Sequence, residues 1–377
     1  MPQKDDTGIY YFLGNITSHI LHALPLHKEL GGTFVVLSEK AKQEVEKYGV
    51  PVICIDNKPW RWQRFGWRLK PVHHYLEIDE SLRKTSQFLN VRAKVVIFYE
   101  LYDFSTSVRI TKPKTIFLTH GNMLKDYMAN NNRLITLNQY HYMASLGPRL
   151  KKIFIEHDGI DPAKLVDVGV ARTDNLVKNR GIVWIDPGLS AETGIDSKKK
   201  IITYVPTFWG QSSVYDSGLH LIKNFPERYV LIFRPHPQTP PSLLRKYLHI
   251  IRSKPNVIYA PEGLYQSATL ENILAASSVV VGDISSVMLE AILINKPLIF
   301  MKLGNGSLPS AYDAIEEVVE ISQKLGLDTY DVGRVIDRSI ERGIDDGLWL
   351  QYQRNNFFNF DGDSTKAIAD FIRKSIL

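Results

Sequence analysis

Ser277-Ser278-Val279-Val280-Val281-Gly282-Asp283-Ile284-Ser285-Ser286-Val287-Met288-Leu289-Glu290-Ala291-Ile292-Leu293-Ile294-Asn295-Lys296-Pro297-Leu298-Ile299-Phe300-Met301 decides the fold class of this 377-residue chain. Val279 to Gly282 is an unbroken apolar run, the pattern of a strand buried on both faces. Asp283 to Ser286 turns the chain, and Val287 to Leu293 has the spacing of a helix that packs back on the sheet. Asn295-Lys296-Pro297 stops it, and Pro297 to Met301 is a second buried strand. A strand, a helix and a second strand in this order belong to a parallel α/β sheet.

The same rhythm extends outward in both directions. Tyr229 to Phe233, Asn256 to Tyr259 and Ile201 to Val205 are strands before it, and Glu317 to Ile321 is expected to be one after it. Nearer the start, Ile9 to Leu13, Phe34 to Leu37, Pro51 to Ile55, Val95 to Tyr99, Thr115 to Thr119 and Leu165 to Val168 make a second set. Two tandem α/β domains follow, placed at 1–185 and 186–361, with an amphipathic helix at 362–377 whose apolar stripe is Ile368, Phe371, Ile372 and Ile376.

Composition bounds the function. A formal charge of +6 favours anionic partners without choosing among nucleotides, lipid phosphates, bilayers and nucleic acids. The basic residues are dispersed apart from Lys58 to Lys70, so sequence-specific nucleic-acid binding is not expected. A single cysteine, Cys54, excludes intramolecular disulfides and cysteine-based zinc sites; it is expected to be a buried, inert thiol. The polar first residues and the lack of a stretch of about 18 apolar residues point to a cytoplasmic chain with no membrane span. Lys58 to Lys70 interleaves Trp60, Trp62, Phe65 and Trp67 with Arg61, Arg64 and Arg68. It suits either an anionic bilayer surface or a packed aromatic lid.

Ligands of open α/β sheets bind beyond the carboxyl ends of the strands, where the chemistry-bearing residues of this chain gather. His120, beside Gly121, follows one strand and is the first candidate base; Lys125 lies five residues on. Arg234-Pro235-His236-Pro237 follows another, a guanidinium and an imidazole on a stiffened backbone that can neutralise a diphosphate. Asp283 to Ser286 precedes a helix, whose free amides favour a phosphate; a plain Ser N-cap is the alternative there. Glu290, one turn on, is either a capping partner or a ribose contact. His19 and His22 sit one helical turn apart, without a third zinc ligand, and fit an acceptor pocket or a core position. No phosphate-binding glycine loop with Lys-Ser or Lys-Thr occurs, and Gly304-Asn305-Gly306 is not a dinucleotide fingerprint. Asp361-Gly362-Asp363 is expected to make a turn.

Taken in order, these motifs resemble the CDP-glycerol glycerophosphotransferases of wall teichoic acid synthesis, over roughly residues 95 to 365. His120-Gly121-x-x-Leu124-Lys125, Gly169-Val170-Ala171-Arg172-Thr173-Asp174, Tyr204-Val205-Pro206-Thr207, His236-Pro237, Asp283-x-Ser285-Ser286-Val287 with Glu290, Asn295-Lys296-Pro297 and Asp361-Gly362 carry the likeness. The chain differs from the family pattern at Ala171, Trp209, Gly282 and Ile284. The resemblance implies a GT-B fold, two Rossmann-like parallel-sheet domains facing across a cleft. It further implies a primer-type, monofunctional transferase moving glycerol phosphate or a similar alditol phosphate from a CDP-activated donor to a polyprenyl-diphosphate-linked saccharide, with release of CMP. His120 and His236 would be catalytic, with Arg172, Thr207, Arg234, Asp283, Ser285, Ser286 and Glu290 on the donor and Gly121, Lys125 and His19 near phosphate or acceptor. CDP-glycerol is the implied donor substrate, with no cofactor assigned, and the implied location is the inner face of the cell membrane, on an anionic surface. The sequence is also compatible with a GT-B glycosyltransferase or UDP-sugar 2-epimerase, and with a non-catalytic nucleotide or nucleic-acid binder.

Overall fold

A computed structural model describes residues 7–15, 17–55, 70–100, 110–118, 137–156, 158–208, 212–283, 285–301, 318, 321–325 and 331–377, with backbone alone for 18 and 70–80. His120, Gly121, Lys125, the residues 58–69 and Gly304-Asn305-Gly306 lie outside this set. Among the described residues the chain forms two compact bodies. One runs to Asp174 and resumes at Asn356–Leu377; the other is Asn175–Asn355.

The first body is built on seven parallel strands: β1 (Ile9–Gly14), β2 (Thr33–Val36), β3 (Val52–Cys54), β4 (Val95–Phe98), β5 (Lys114–Phe117), β6 (Tyr142–Ser145) and β7 (Leu165–Asp167). They lie in the order β3, β2, β1, β4, β5, β6, β7. β1, β2 and β4 are buried along their whole length, as their unbroken apolar runs require. Aromatic pairs such as Phe12 on Phe98, with ring centres 5.5 Å apart, tie neighbouring strands. Among the described strands β3 is the edge, and Cys54 there is half-buried rather than fully enclosed.

The second body has six parallel strands: β8 (Ile201–Val205), β9 (Val230–Phe233), β10 (Val257–Tyr259), β11 (Ser277–Gly282), β12 (Leu298–Met301) and β13 (Gln323–Leu325), in the order β10, β9, β8, β11, β12, β13. Side chains alternate across the sheet. Ile202, Tyr204, Leu231 and Phe233 enter one core layer, while Ile201, Val230 and Ile232 enter the other. The last strand is not at 317–321: Val318 and Ile321 are helical, and β13 follows them beside β12.

The bodies divide between 174 and 175, about ten residues before the boundary drawn from sequence. The reason lies in the backbone of 179–184. Gly181 donates to Ile294 O at 3.2 Å and Trp184 to Ala275 O at 3.1 Å, which stitches this segment to the second sheet. At the other end, Gln353 Nε2 donates to Ile292 O at 2.8 Å, whereas Phe358 N donates to Leu146 O at 2.7 Å, so the chain returns to the first body at 356 rather than 362. Gly147 and Gly169 have no room for a Cβ, because the backbone of Asn356 and Phe358 lies against them. The helix Ser364–Ser375 then buries Ile368, Ala369 and Ile372.

Candidate functional site

Each sheet reverses its winding once, at β1 and β4 in the first body and at β8 and β11 in the second. Such switch points leave a crevice beyond the strand ends where ligands of α/β sheets bind. The singled-out residues of the second body gather at one of these points.

Asp283 leaves β11 with 1% of its surface exposed. Its Oδ1 accepts Thr207 N–H at 2.9 Å, and its Oδ2 accepts Ser213 N–H at 2.8 Å and the Ser213 hydroxyl at 2.6 Å. The Ser212 hydroxyl lies 2.8 Å from Oδ2 and 2.7 Å from Thr207 O, within reach of either acceptor. A buried carboxylate so surrounded by donors is a hub that closes the switch point, and its charge is of the wrong sign to hold a diphosphate directly. Asp283 thus ties the buried Thr207 after β8 to the end of β11. Tyr204, whose hydroxyl burial pushes up, lies 2.8 Å from Ser213 Oγ beneath them.

Ser285 caps the helix Ser286–Leu293, its Oγ accepting Val287 N–H at 3.3 Å. Both serines are half-buried at the positive end of the helix dipole. Glu290 is 1% exposed and lies two residues beyond the position where a capping box would need it. Its carboxylate is inside the body, and it does not complete a capping box.

His236 follows β9. Its Nδ1 accepts the Gln238 N–H at 3.2 Å, and its ring stacks on Phe208, with centres 4.2 Å apart and planes 28° apart. A neutral imidazole that accepts at Nδ1 carries its proton on Nε2, which makes it a hydrogen-bond donor there. Arg234 is half-buried, and its Nη1 donates to Ala268 O at 2.8 Å and reaches Ala260 O at 3.4 Å. It braces the loop after β10 while keeping a positive charge at the same strand end.

Arg172 belongs to the first body, where Nη1 donates to His22 Nε2 at 3.2 Å, fixing the His22 proton on Nδ1. His19 ends a single helical turn after β1; it is 7% exposed, 4.0 Å from the Glu100 carboxylate, and its ring centre is 6.1 Å from that of His22. Tyr99 follows β4, its hydroxyl pushed up by burial and so a neutral group. Tyr99, His22 and Arg172 line a small pocket with Ala144, Val168 and Ile368. Two imidazoles, a carboxylate, a phenol and a guanidinium thus share the first switch point. Tyr99, Glu100, Phe208, Ser212 and Ser213 were missed in the sequence, although each follows a strand at the position where the fold class directs attention.

Asp174, last of the Gly-Val-Ala-Arg-Thr-Asp run, accepts the N–H groups of Ser364 at 3.1 Å and Thr365 at 2.7 Å. It caps a helix 190 residues away, and the Asp361-Gly362-Asp363 turn delivers that helix end to it.

A family model described as CDP-glycerol:poly(glycerophosphate) glycerophosphotransferase matches residues 66–304. The chain is 26% identical over 162 residues to the teichoic acid poly(ribitol-phosphate) polymerase of Bacillus spizizenii, a match covering 40% of this chain and 24% of that protein, so it spans about a quarter of the polymerase. Among solved structures, the wall teichoic acid polymerase TagF superposes with a TM-score of 0.63 at 14% identity, covering 100% of this chain and 91% of that one. A putative UDP-N-acetylglucosamine 2-epimerase from Listeria monocytogenes also gives 0.63 at 14% identity, over 97% and 95% of the two chains. The UDP-GlcNAc 2-epimerase of Neisseria meningitidis bound to UDP-GlcNAc gives 0.62 at 14%, over 97% and 99%. At such identities the structural likeness establishes the two-sheet architecture alone.

Proposed function

The chain belongs to the CDP-glycerol:poly(glycerophosphate) glycerophosphotransferase family and has its GT-B fold, and from that premise we propose that it transfers an alditol phosphate, glycerol phosphate first, from a CDP-activated donor to a hydroxyl of a lipid-linked saccharide. The acceptor oxygen attacks the phosphorus that bears the glycerol, His120 takes the hydroxyl proton, and the bond to CMP breaks in line. Charge develops on the departing CMP phosphate. His236 donates to it from Nε2, Arg234 offsets its charge, and Ser285 and Ser286 with the amides of their helix end hold the neighbouring oxygens. General-base removal of the proton is typically worth about 10² to 10⁴ in rate.

The observation that carries the donor assignment is the second switch point. A helix N-terminus with two serines, after β11, and a histidine fixed as a donor at Nε2, after β9, stand at strand ends of one sheet on either side of β8. The shared architecture of the 2-epimerases keeps a nucleotide-sugar reading alive, and nucleotide preference separates the two. Thermal shifts with CDP, UDP, GDP and CDP-glycerol should be largest for the cytidine ligands. A larger shift with a UDP-sugar would favour the other reading. With purified protein, His120→Ala and His236→Ala should each lower kcat by at least about a hundredfold; a His120→Ala protein as fast as wild type would overturn the base assignment.

A further inference from the structure

His236 owes its orientation to residues that need not touch the substrate, and we propose that Phe208 and Asp283 are positioning residues for it. This rests on the transferase reading above, in which His236 meets the leaving phosphate.

Among the described residues, Phe208 and Gln238 restrain the imidazole. The Phe208 ring lies 4.2 Å away in a stacked arrangement, which sets the ring plane, and the Gln238 N–H at 3.2 Å selects Nδ1 as the acceptor, which sets the tautomer. The backbone restraint is local to the His-Pro turn, but the stack depends on a different strand. Phe208 follows β8, and its neighbours are fixed from β11: Asp283 binds Thr207 N–H on one side and Ser213 N–H on the other. The Tyr215 hydroxyl adds a third restraint, donating to Phe208 O at 3.1 Å. A line of fixed groups therefore runs from the carboxylate at the end of β11, through Phe208 after β8, to the imidazole after β9. Three adjacent strand ends determine one hydrogen-bond vector.

Without the aromatic face the imidazole can turn about its side-chain torsions, which takes Nδ1 off the Gln238 N–H that selects the tautomer and loses the line from Nε2 to the leaving oxygen. A misplacement of about 1 Å can cost about a hundredfold in rate. Steady-state kinetics of the full chain with CDP-glycerol should show Phe208→Ala lowering kcat about tenfold to a hundredfold while KM for the donor stays within about twofold. Phe208→Tyr, which keeps the ring face, should recover most of kcat. Asp283→Asn should lower kcat in the same way, and Phe208→Ala with Asp283→Asn should be no slower than the slower single variant, since both act through one ring. Long-range proton–nitrogen NMR of His236 gives a readout besides activity: protonation on Nε2 in wild type and Phe208→Tyr, and a mixture of tautomers in Phe208→Ala.

A donor KM that rises in Phe208→Ala with kcat unchanged would overturn the proposal, because Phe208 would then bind the donor itself. So would an unaltered His236 tautomer together with unaltered kcat. A wild-type protein inert toward CDP-glycerol would instead overturn the reading of the reaction, and the NMR comparison would still decide whether Phe208 sets the ring.

Discussion

Lys296 illustrates how a motif acquires meaning at the residue scale. In Asn295-Lys296-Pro297, Asn295 takes a positive φ of 58° that ends the preceding helix, and its Oδ1 accepts Gln353 Nε2 at 2.8 Å. Lys296 is 3% exposed, and Nζ donates to Ile182 O at 3.2 Å and Ala275 O at 3.1 Å. Burial lowers its pKa to about 8, so above that pH it is a neutral amine whose two N–H groups match the two carbonyls. The unfolded chain, with the ordinary lysine value near 10.5, binds more protons between about 8 and 10.5, so this group makes stability rise with pH in that window. The stability difference between wild type and Lys296→Met, from urea unfolding, should shift in favour of wild type by about 2 kcal/mol from pH 7.5 to 9.5. A difference that is flat with pH would contradict this.

At the scale of elements, the helix Ser364–Ser375 has no cap from its own preceding residue, Asp363, and takes one from Asp174. Two charge-assisted bonds to buried helix amides make Asp174→Ala costly, by about 2 to 3 kcal/mol, with Asp174→Asn retaining part of this. Urea midpoints of the two variants check the order. The motif around Arg172 and the late Asp-Gly were legible as separate pieces, and their contact was not, since nothing in 190 intervening residues sets the distance. The strands were legible where apolar runs are continuous and β-branched, as in β8 and β11. β6, Tyr142-Met143-Ala144-Ser145, was not: Ala, Ser and Met carry little strand preference, and its place between β5 and β7 makes it a strand.

At the scale of the molecule, the boundary at 174 and the return at 356 define what can be cut. The fragment 175–355 keeps the 179–184 segment and the Lys296 bonds to Ile182, whereas 186–361 loses both. The fragment 175–355 should melt as one transition, at least about 4 °C above the fragment that starts at 186, by calorimetry. Among the described residues no helix is long and apolar enough to cross a membrane. The aromatic and basic residues at 58–70 therefore carry the bilayer expectation. Arg61, Arg64 and Arg68 changed together to Glu should reduce pelleting with anionic vesicles, and equal pelleting would count against that role.

The sequence alone determined two parallel α/β domains, the resemblance to the family and the strand ends worth watching, because buried runs, turn residues and ordered motifs are properties of local chemistry. Tertiary structure decided what each residue does there. Asp283 and Glu290 read alike as donor contacts, yet one accepts from Thr207 N–H and from the N–H and hydroxyl of Ser213, with the Ser212 hydroxyl in reach, and the other lies inside the body. Arg172 meets His22, and Phe208 stacks on His236. Such pairings depend on strand order, which the sheet fixes only when β8 lies between β9 and β11, and a linear sequence does not display that order.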